Sequence, residues 1–373
     1  MDHWLRNKTA IVGVGYTPMV RKSEKSLAAV AMDAALAAIA DAGLTTKDID
    51  GYSGTPKAPN ASAMHADGVD EISERYMASA LGLTNLRWAT DVNRGVVADG
   101  IVAGIQSLVT GTANYVLCMR AMYDRPGVRY ASTDQGVFGG PDQYTAPYGV
   151  GIGAISLWLT RYMHDYGATR EDLFEVVGTL REHAQLNEYA YWRGKPLTLD
   201  DYMSARFVYE PMCLYDYDIP VTGAGAVVLT TADRARALPH RPAYVAGFAN
   251  TRAPGDAIFD LSGIGRDAVQ AAQLYDGFSP VVWKWLEALG FCGEGEAHAF
   301  ARGGRIKLGG ELPVTTFGGS QGEGRLHGMG HVREGAMQVM GRAGERQVPG
   351  LENCLVALGF DSVPGWVLML STG

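Results

Sequence analysis

Gly318-Gly319, followed after four intervening residues by Gly324-Arg325-Leu326-His327-Gly328, is the stretch on which the reading of this chain turns. Two adjacent glycines allow a tight turn and let a neighbouring segment approach the backbone, because neither carries a Cβ. Just downstream, residues 332–340 repeat apolar side chains at helical spacing. The segment therefore reads as a glycine turn feeding a buried helix, with one arginine and two histidines, His327 and His331, at the junction. Around it, 243–249, 354–358 and 366–370 read as buried strands, and 267–275 and 280–289 as helices.

The first half of the chain shows the same order. Residues 9–15 read as a buried strand ending in a glycine turn. Ser26 caps a helix carrying Leu27, Val30, Ala31, Ala34 and Ile39, and Gly43 stops it. A strand at 87–92 precedes an uncharged, glycine-containing helix at 96–109, broken only by Asp99. Strands at 114–119 and 225–231 complete the set. Each half thus runs strand, helix, strand, central helix, two strands, a duplication of pattern rather than of residues. The expected division is residues 1–235, including an irregular insert at about 120–215 with helical pieces near 153–165 and 170–185, and residues 236–373.

Bulk properties narrow the function. The chain has 373 residues, 47% of them apolar, enough for an α/β core of two halves. A net charge of −8 argues against a nucleic-acid partner. No run of 18 apolar residues suggests a membrane span, and the start Met1-Asp2-His3-Trp4-Leu5-Arg6 lacks an apolar signal region. Cys118, Cys213, Cys292 and Cys354 are too scattered for a zinc site or a disulfide framework, and they suit a reducing cytoplasm.

The ordered motifs carry a resemblance. Tyr275-Asp276-Gly277-Phe278-Ser279 with 286–292, the Gly318 to Gly328 segment, Asp91-Val92-Asn93-Arg94, and 220–226 together resemble the sterol-carrier-protein branch of the thiolase superfamily, over nearly the whole chain. The resemblance implies a duplicated five-layer α/β/α/β/α subunit that usually dimerises, with the insert as a loop domain over a coenzyme A thioester. The departures are informative. The position of the thiolase nucleophilic cysteine falls at Gly95 or Val96, that of its histidine at Arg325, and the last strand-turn-strand unit reads Ala357-Leu358-Gly359-Phe360-Asp361 without a cysteine. Tyr275 stands where the sterol-carrier branch usually has histidine. Acyl-cysteine chemistry needs a thiolate beside a base, and neither remains.

Cysteine-less relatives of this branch include steroid side-chain acyl-CoA aldolases, and the chain resembles them in its Tyr-Asp-x-Phe and His-Gly segments. In those relatives a tyrosine often occupies the position of Arg325. The resemblance implies retro-aldol cleavage of a β-hydroxyacyl-CoA, with the thioester as substrate and no bound cofactor. It also implies a partner with an OB fold and a zinc ribbon. Expected catalytic residues are Tyr275, Arg325 and His327; expected substrate-binding residues are Asp276, Gly318, Gly319 and His331, the two glycines through backbone N–H groups. Tyr275 relays the hydroxyl proton if a cation such as Arg325 lowers its pKa, and His327 or His331 carries the proton onward.

Plainer readings stand beside these. Asp276 reads as a turn cap, Arg325 as a partner of Glu323 or Glu334, His331 as a helix-start residue, and Asp99 as a partner of Arg94. His327 and His331 have metal-pair spacing but no evident third ligand. Arg120 and other arginines of the insert are candidates for coenzyme A phosphates. Two other functions remain open, an atypical thiolase-like acyltransferase and a non-catalytic subunit that binds acyl-CoA or lipid or serves as a scaffold.

Overall fold

β1 (Thr9–Tyr16) is the middle strand of a nine-stranded mixed sheet and is largely buried. The structure, a computed structural model, describes residues 3–55, 66–69, 71–92, 97–124, 152–251, 254–359 and 365–373. Its other strands are β2 (Gly51–Thr55), β3 (Trp88–Asp91), β4 (Tyr115–Met122), β5 (Phe207–Tyr209) and β6 (Met212–Cys213), then β7 (Gly223–Thr231), β8 (Ala243–Thr251), β9 (Ala271–Leu274), β10 (Asn353–Leu358) and β11 (Gly365–Ser371). The large sheet runs β3-β2-β4-β7-β1-β8-β11-β10-β9, and β5 and β6 form a separate hairpin.

The duplication is visible in this order. Reading outward from the centre, β1, β7, β4, β2 and β3 are matched by β8, β11, β10, β9 and a one-residue parallel bridge at Val314. In each half the second strand out is antiparallel to both neighbours, and the next pair is parallel. Within the sheet the halves join where β1 meets β8, with Ala10 paired to Tyr244 and Ile11 to Ala243.

Helices complete the layers. α1 (Leu27–Asp41) and α2 (Glu74–Leu81) share an apolar cluster with β1, β2, β4 and β7 on one outside face. α3 (Val97–Val109) lies in a cluster that draws on strands of both halves. In the insert, α4 (Ile152–Tyr166), α5 (Arg170–Gln185) and α6 (Leu199–Ser204) precede the β5–β6 hairpin, and a short α7 (Ala232–Ala235) leads into the second half. There, α8 (Pro254–Ser262) and α9 (Ser279–Ala288) form the other outer layer, with α4 and α5 packed on the same cluster. α10 (Ala297–Phe300) and α11 (Gly319–Gly322) are single turns, and α12 (Met329–Met340) joins α3 in the middle layer. The arrangement is the five-layer α/β/α/β/α stack.

Local chemistry explains several helix starts. Ser26 accepts from the Ala29 N–H at the start of α1, and a reciprocal Thr169–Asp172 capping box starts α5. Two expectations need correction. Residues 267–275 are not a helix: a short 3-10 turn at Arg266–Ala268 leads into β9. β9 pairs with β10 in parallel, and every residue of it is buried, so it reads as a continuous apolar run that periodicity cannot separate from a helix. The glycines of β1 do not make a turn. They sit within the strand, where a Cβ at Gly13 would lie 2.4 Å from the Ala38 carbonyl and one at Gly15 2.0 Å from that of Ala34, so α1 packs directly on the β1 backbone.

Candidate active site

Tyr275 emerges at the end of β9, anchored by its N–H to the Ala357 carbonyl at 2.9 Å. Beside it, Asp276 is fully buried. Its carboxylate accepts the N–H groups of Ser320 (2.8 Å) and Gln321 (3.0 Å) at the first turn of α11, and pairs with His331 Nε2 at 2.9 Å. Gly318 and Gly319 both have positive φ, at 96° and 68°. A Cβ on Gly319 would lie 2.1 Å from Asp276 Oδ2, and one on Gly318 would lie 2.7 Å from the Ala184 Cβ of α5. The Gly318 N–H is given to the Thr315 carbonyl at 3.0 Å. Asp276, Gly318, Gly319 and His331 thus form one buried knot in which Asp276 caps α11 and His331 sits in the first turn of α12.

A second group forms around Tyr275. Arg325 is buried, with its Nε 3.9 Å from Asp218 Oδ2 and its N–H on the Ile219 carbonyl at 3.0 Å. Asp218 is held by its own N–H on the Gly277 carbonyl, also at 3.0 Å. Arg120, on β4, has no solvent exposure. It donates through Nη1 to the Thr55 carbonyl at 2.6 Å and through Nη2 to His327 Nδ1 at 3.0 Å. Burial pushes the Tyr275 phenol well above its ordinary value, and the Asp218 charge pushes the same way; Arg325 and Arg120 pull it back. Arg325 therefore acts on Tyr275 in the expected sense, but burial outweighs it, and the phenol is neutral at rest.

Tyr275, Arg325 and His327 are therefore brought together, and the structure adds Asp218 and Arg120. Nothing in the sequence marked Asp218 out from Asp216 two residues earlier. Arg120 had a readable signal, as the one charge ending the apolar run Tyr115 to Met119. The sequence offers it as a candidate for coenzyme A phosphates, but it is buried in the core.

The anticipated carboxylate partners of Arg325 are engaged elsewhere. Glu323 takes Arg333 at 2.8 Å, Asn187 at 2.6 Å and the Tyr16 hydroxyl at 2.5 Å. Glu334 pairs with Arg346 at 3.1 Å. Asp99 accepts from the Trp366 indole at 2.5 Å; Arg94, its anticipated partner, lies outside the described residues, as do Gly95 and Val96. Burial pushes the thiols of Cys213, Cys292 and Cys354 up to about 12, and that of Cys118 higher still. Among the described residues no cluster of three His, Cys, Asp or Glu side chains has metal-holding geometry.

Asp218 also lines a cleft of about 310 Å³ that opens over the insert. Gln321, Trp192, Tyr215 and Tyr217 line it, together with Arg21, Arg181 and Arg206. The Arg181 guanidinium stacks 4.0 Å from the Trp192 ring centre.

Comparison with known proteins decides the family. Residues 232–359 match a family model described as thiolase C-terminal domain-like. The chain is 34% identical over 387 residues to the steroid side-chain-cleaving aldolase of Thermomonospora curvata, covering 95% of this chain and 96% of that one. The chain belongs to the thiolase-like aldolases. It is also 33% identical to the 17-hydroxy-3-oxo-4-pregnene-20-carboxyl-CoA lyase of Mycobacterium tuberculosis, with 95% and 97% coverage. A solved structure described as Ltp2-ChsH2(DUF35) aldolase superposes with a TM-score of 0.86 at 33% identity, covering 98% of each chain. Human mitochondrial 3-ketoacyl-CoA thiolase shares the fold at a TM-score of 0.66 and 14% identity. This thiolase-like aldolase is a carbon–carbon lyase, and among the described residues none of its helices is long and apolar enough to cross a membrane.

Proposed function

We propose that this aldolase cleaves a bulky β-hydroxyacyl-CoA, of the steroid side-chain kind, into a ketone or aldehyde and a shortened acyl-CoA. The observation that carries this reading is the buried Tyr275–Asp218–Arg325 group, whose Asp218 lines an aromatic and arginine-lined cleft, in a chain whose thiols are all disfavoured as thiolates. The β-hydroxyl proton leaves to Tyr275, whose own proton passes to Asp218. The Cα–Cβ bond breaks, its electron pair forms the thioester enolate, and a proton returned to Cα completes the shortened acyl-CoA. No water, oxidant or free coenzyme A is consumed. A relay phenol accepts one proton as it gives another, so a raised pKa suits Tyr275. Arg325 and Arg120 supply the positive charge that an enolate oxygen needs in a buried site. Arg181, Arg206 and Arg21 are suited to coenzyme A phosphates, and Trp192 to its adenine ring.

The relative whose structure is described as Ltp2-ChsH2(DUF35) aldolase supports a partner subunit here too; we propose that this partner is a small zinc-ribbon and OB-fold protein set on a homodimeric core, as the family resemblance implies. The test is a cleavage assay with purified protein, with and without that partner and without free coenzyme A, read by mass spectrometry. A carbonyl product plus a shortened acyl-CoA is expected. Intact substrate despite binding would support a non-catalytic acyl-CoA-binding role. Turnover only with added coenzyme A would restore acyl transfer.

A further inference from the structure

We propose that Arg120 is a positioning residue for this reaction, holding His327 as a neutral imidazole with its proton on Nε2, so that the ring serves as a hydrogen-bond donor and not as a base. The purpose assigned to the ring rests on the aldolase reading above; its protonation state follows from contacts alone.

A guanidinium carries only donors. At 3.0 Å from Arg120 Nη2, His327 Nδ1 must present its lone pair. A proton there would set N–H against N–H and add a second positive charge beside a buried one. The remaining proton is therefore on Nε2, and whatever atom Nε2 meets, it meets as a donor.

Both members of the pair are fixed. Arg120 sits in the interior of β4 with its other terminal nitrogen on the Thr55 carbonyl at 2.6 Å. His327 has a left-handed backbone, φ 49°, which a non-glycine residue keeps only when its surroundings impose it. Its carbonyl accepts the Val97 N–H at the start of α3, at 3.3 Å.

The surrounding charges point to function. Among the described residues, besides His327 itself, the ionisable groups that act on Arg120 are Arg325, a like charge, and Tyr275. Asp218 and Asp276 act on Tyr275, and Asp218 faces Arg325. Among the described residues no carboxylate pairs with Arg120 itself, and its Nε is buried without a hydrogen-bond partner. A buried cation without a counter-ion is costly to keep. A thioester becoming an enolate brings the missing negative charge, and an imidazole backed by a cation is a strengthened donor toward it. His183 provides a contrast within the same fold. Its Nδ1–H points to the Thr315 carbonyl at 3.3 Å while its Nε2 accepts the Leu308 N–H at 3.1 Å, so its neighbours impose the opposite tautomer.

The experiment is nitrogen NMR of protein labelled only in its eight histidines, with His327 assigned by its loss in His327→Gln. Expected for His327 is a pyridine-type Nδ1 and a pyrrole-type Nε2, unchanged between about pH 5 and about pH 8; His183 should show the reverse assignment. In Arg120→Met the His327 ring should titrate near its ordinary value of about 6.5, and kcat should fall roughly 10²-fold with little change in KM. A wild-type ring protonated on Nδ1, or on both nitrogens, overturns the proposal, as does an Arg120→Met ring with unchanged protonation. The wild-type spectrum decides the point even if Arg120→Met fails to fold. Failure of the aldolase reading would appear as absent cleavage and leave this spectrum untouched.

Discussion

Two buried charge clusters flank the turn from Gly318 to Gly328, and they are built on opposite plans. In one, Glu323 and Glu334 face Arg333 and Arg346, two anions against two cations. Their remaining carboxylate oxygens are taken up by Tyr16, Asn187, Thr316 and Gln338. That cluster ties β1, the turn after α5 and α12 together, and its cations and anions are equal in number. In the other, Asp218 faces Arg325, Arg120 donates to His327, and among the described residues no carboxylate pairs with Arg120. Asp276 does not redress the balance, because it is committed to His331 and the N-terminus of α11. A buried cluster in which every cation meets a carboxylate is structural, whereas a buried cation such as Arg120, with no carboxylate partner among the described residues, suits a reaction that produces an anion.

The largest effect that would test this contrast is Tyr275→Phe. Cleavage should fall by about 10²- to 10⁴-fold, the usual worth of a positioned acid–base group, while the melting temperature stays close to that of the parent. A variant that kept its rate would remove Tyr275 from the relay. In the balanced cluster, Arg333→Met should do the reverse. It strands Glu323 in the core and should cost about 3–5 kcal/mol in chemical denaturation, while the folded fraction retains its turnover. If Glu323→Gln/Arg333→Met is no more stable than Arg333→Met alone, the pair is not what the single change breaks.

A smaller effect concerns pH. Burial pulls His183 down to about 4, against an ordinary value of about 6.5. Between those values the unfolded chain binds the extra proton and the folded one does not, so stability rises with pH across this window. Acidification through it should remove roughly 3 kcal/mol, and His183→Gln should flatten the dependence measured by thermal melts. The smallest expected effect is none. Alkylating Cys292, the one half-exposed thiol among the four cysteines, should leave aldol cleavage within about twofold, since a thiol pushed up to about 12 is scarcely ionised. Rapid inactivation would return attention to acyl transfer.

Much of the fold was legible because its signals are local. The strand at 225–231, the central helix from Val97 and the final strand pair have apolar runs bounded by turn residues, and they lie where periodicity put them. β9 was not legible, because a short parallel strand buried on both faces has no alternation. In the site, Tyr275, Arg325 and His327 were marked by their place in ordered motifs. Asp276 and His331 were marked too, but nothing local showed that they bond to each other, 55 residues apart. Asp218 and Arg120 escaped assignment because their roles depend on what stands opposite them across the fold.

By itself the sequence determined the duplicated layer order, the family branch, and the absence of cysteine at the old nucleophile and last-turn positions, because these reside in residue identity and order. Tertiary structure alone decided which charges meet. It paired Glu323 with Arg333, left Arg120 facing His327, placed Asp218 beside Arg325, and buried Tyr275 deeply enough that desolvation outweighs two nearby cations. Coulomb interactions and desolvation depend on distance and burial in space, and neither quantity is encoded in the spacing of residues along the chain.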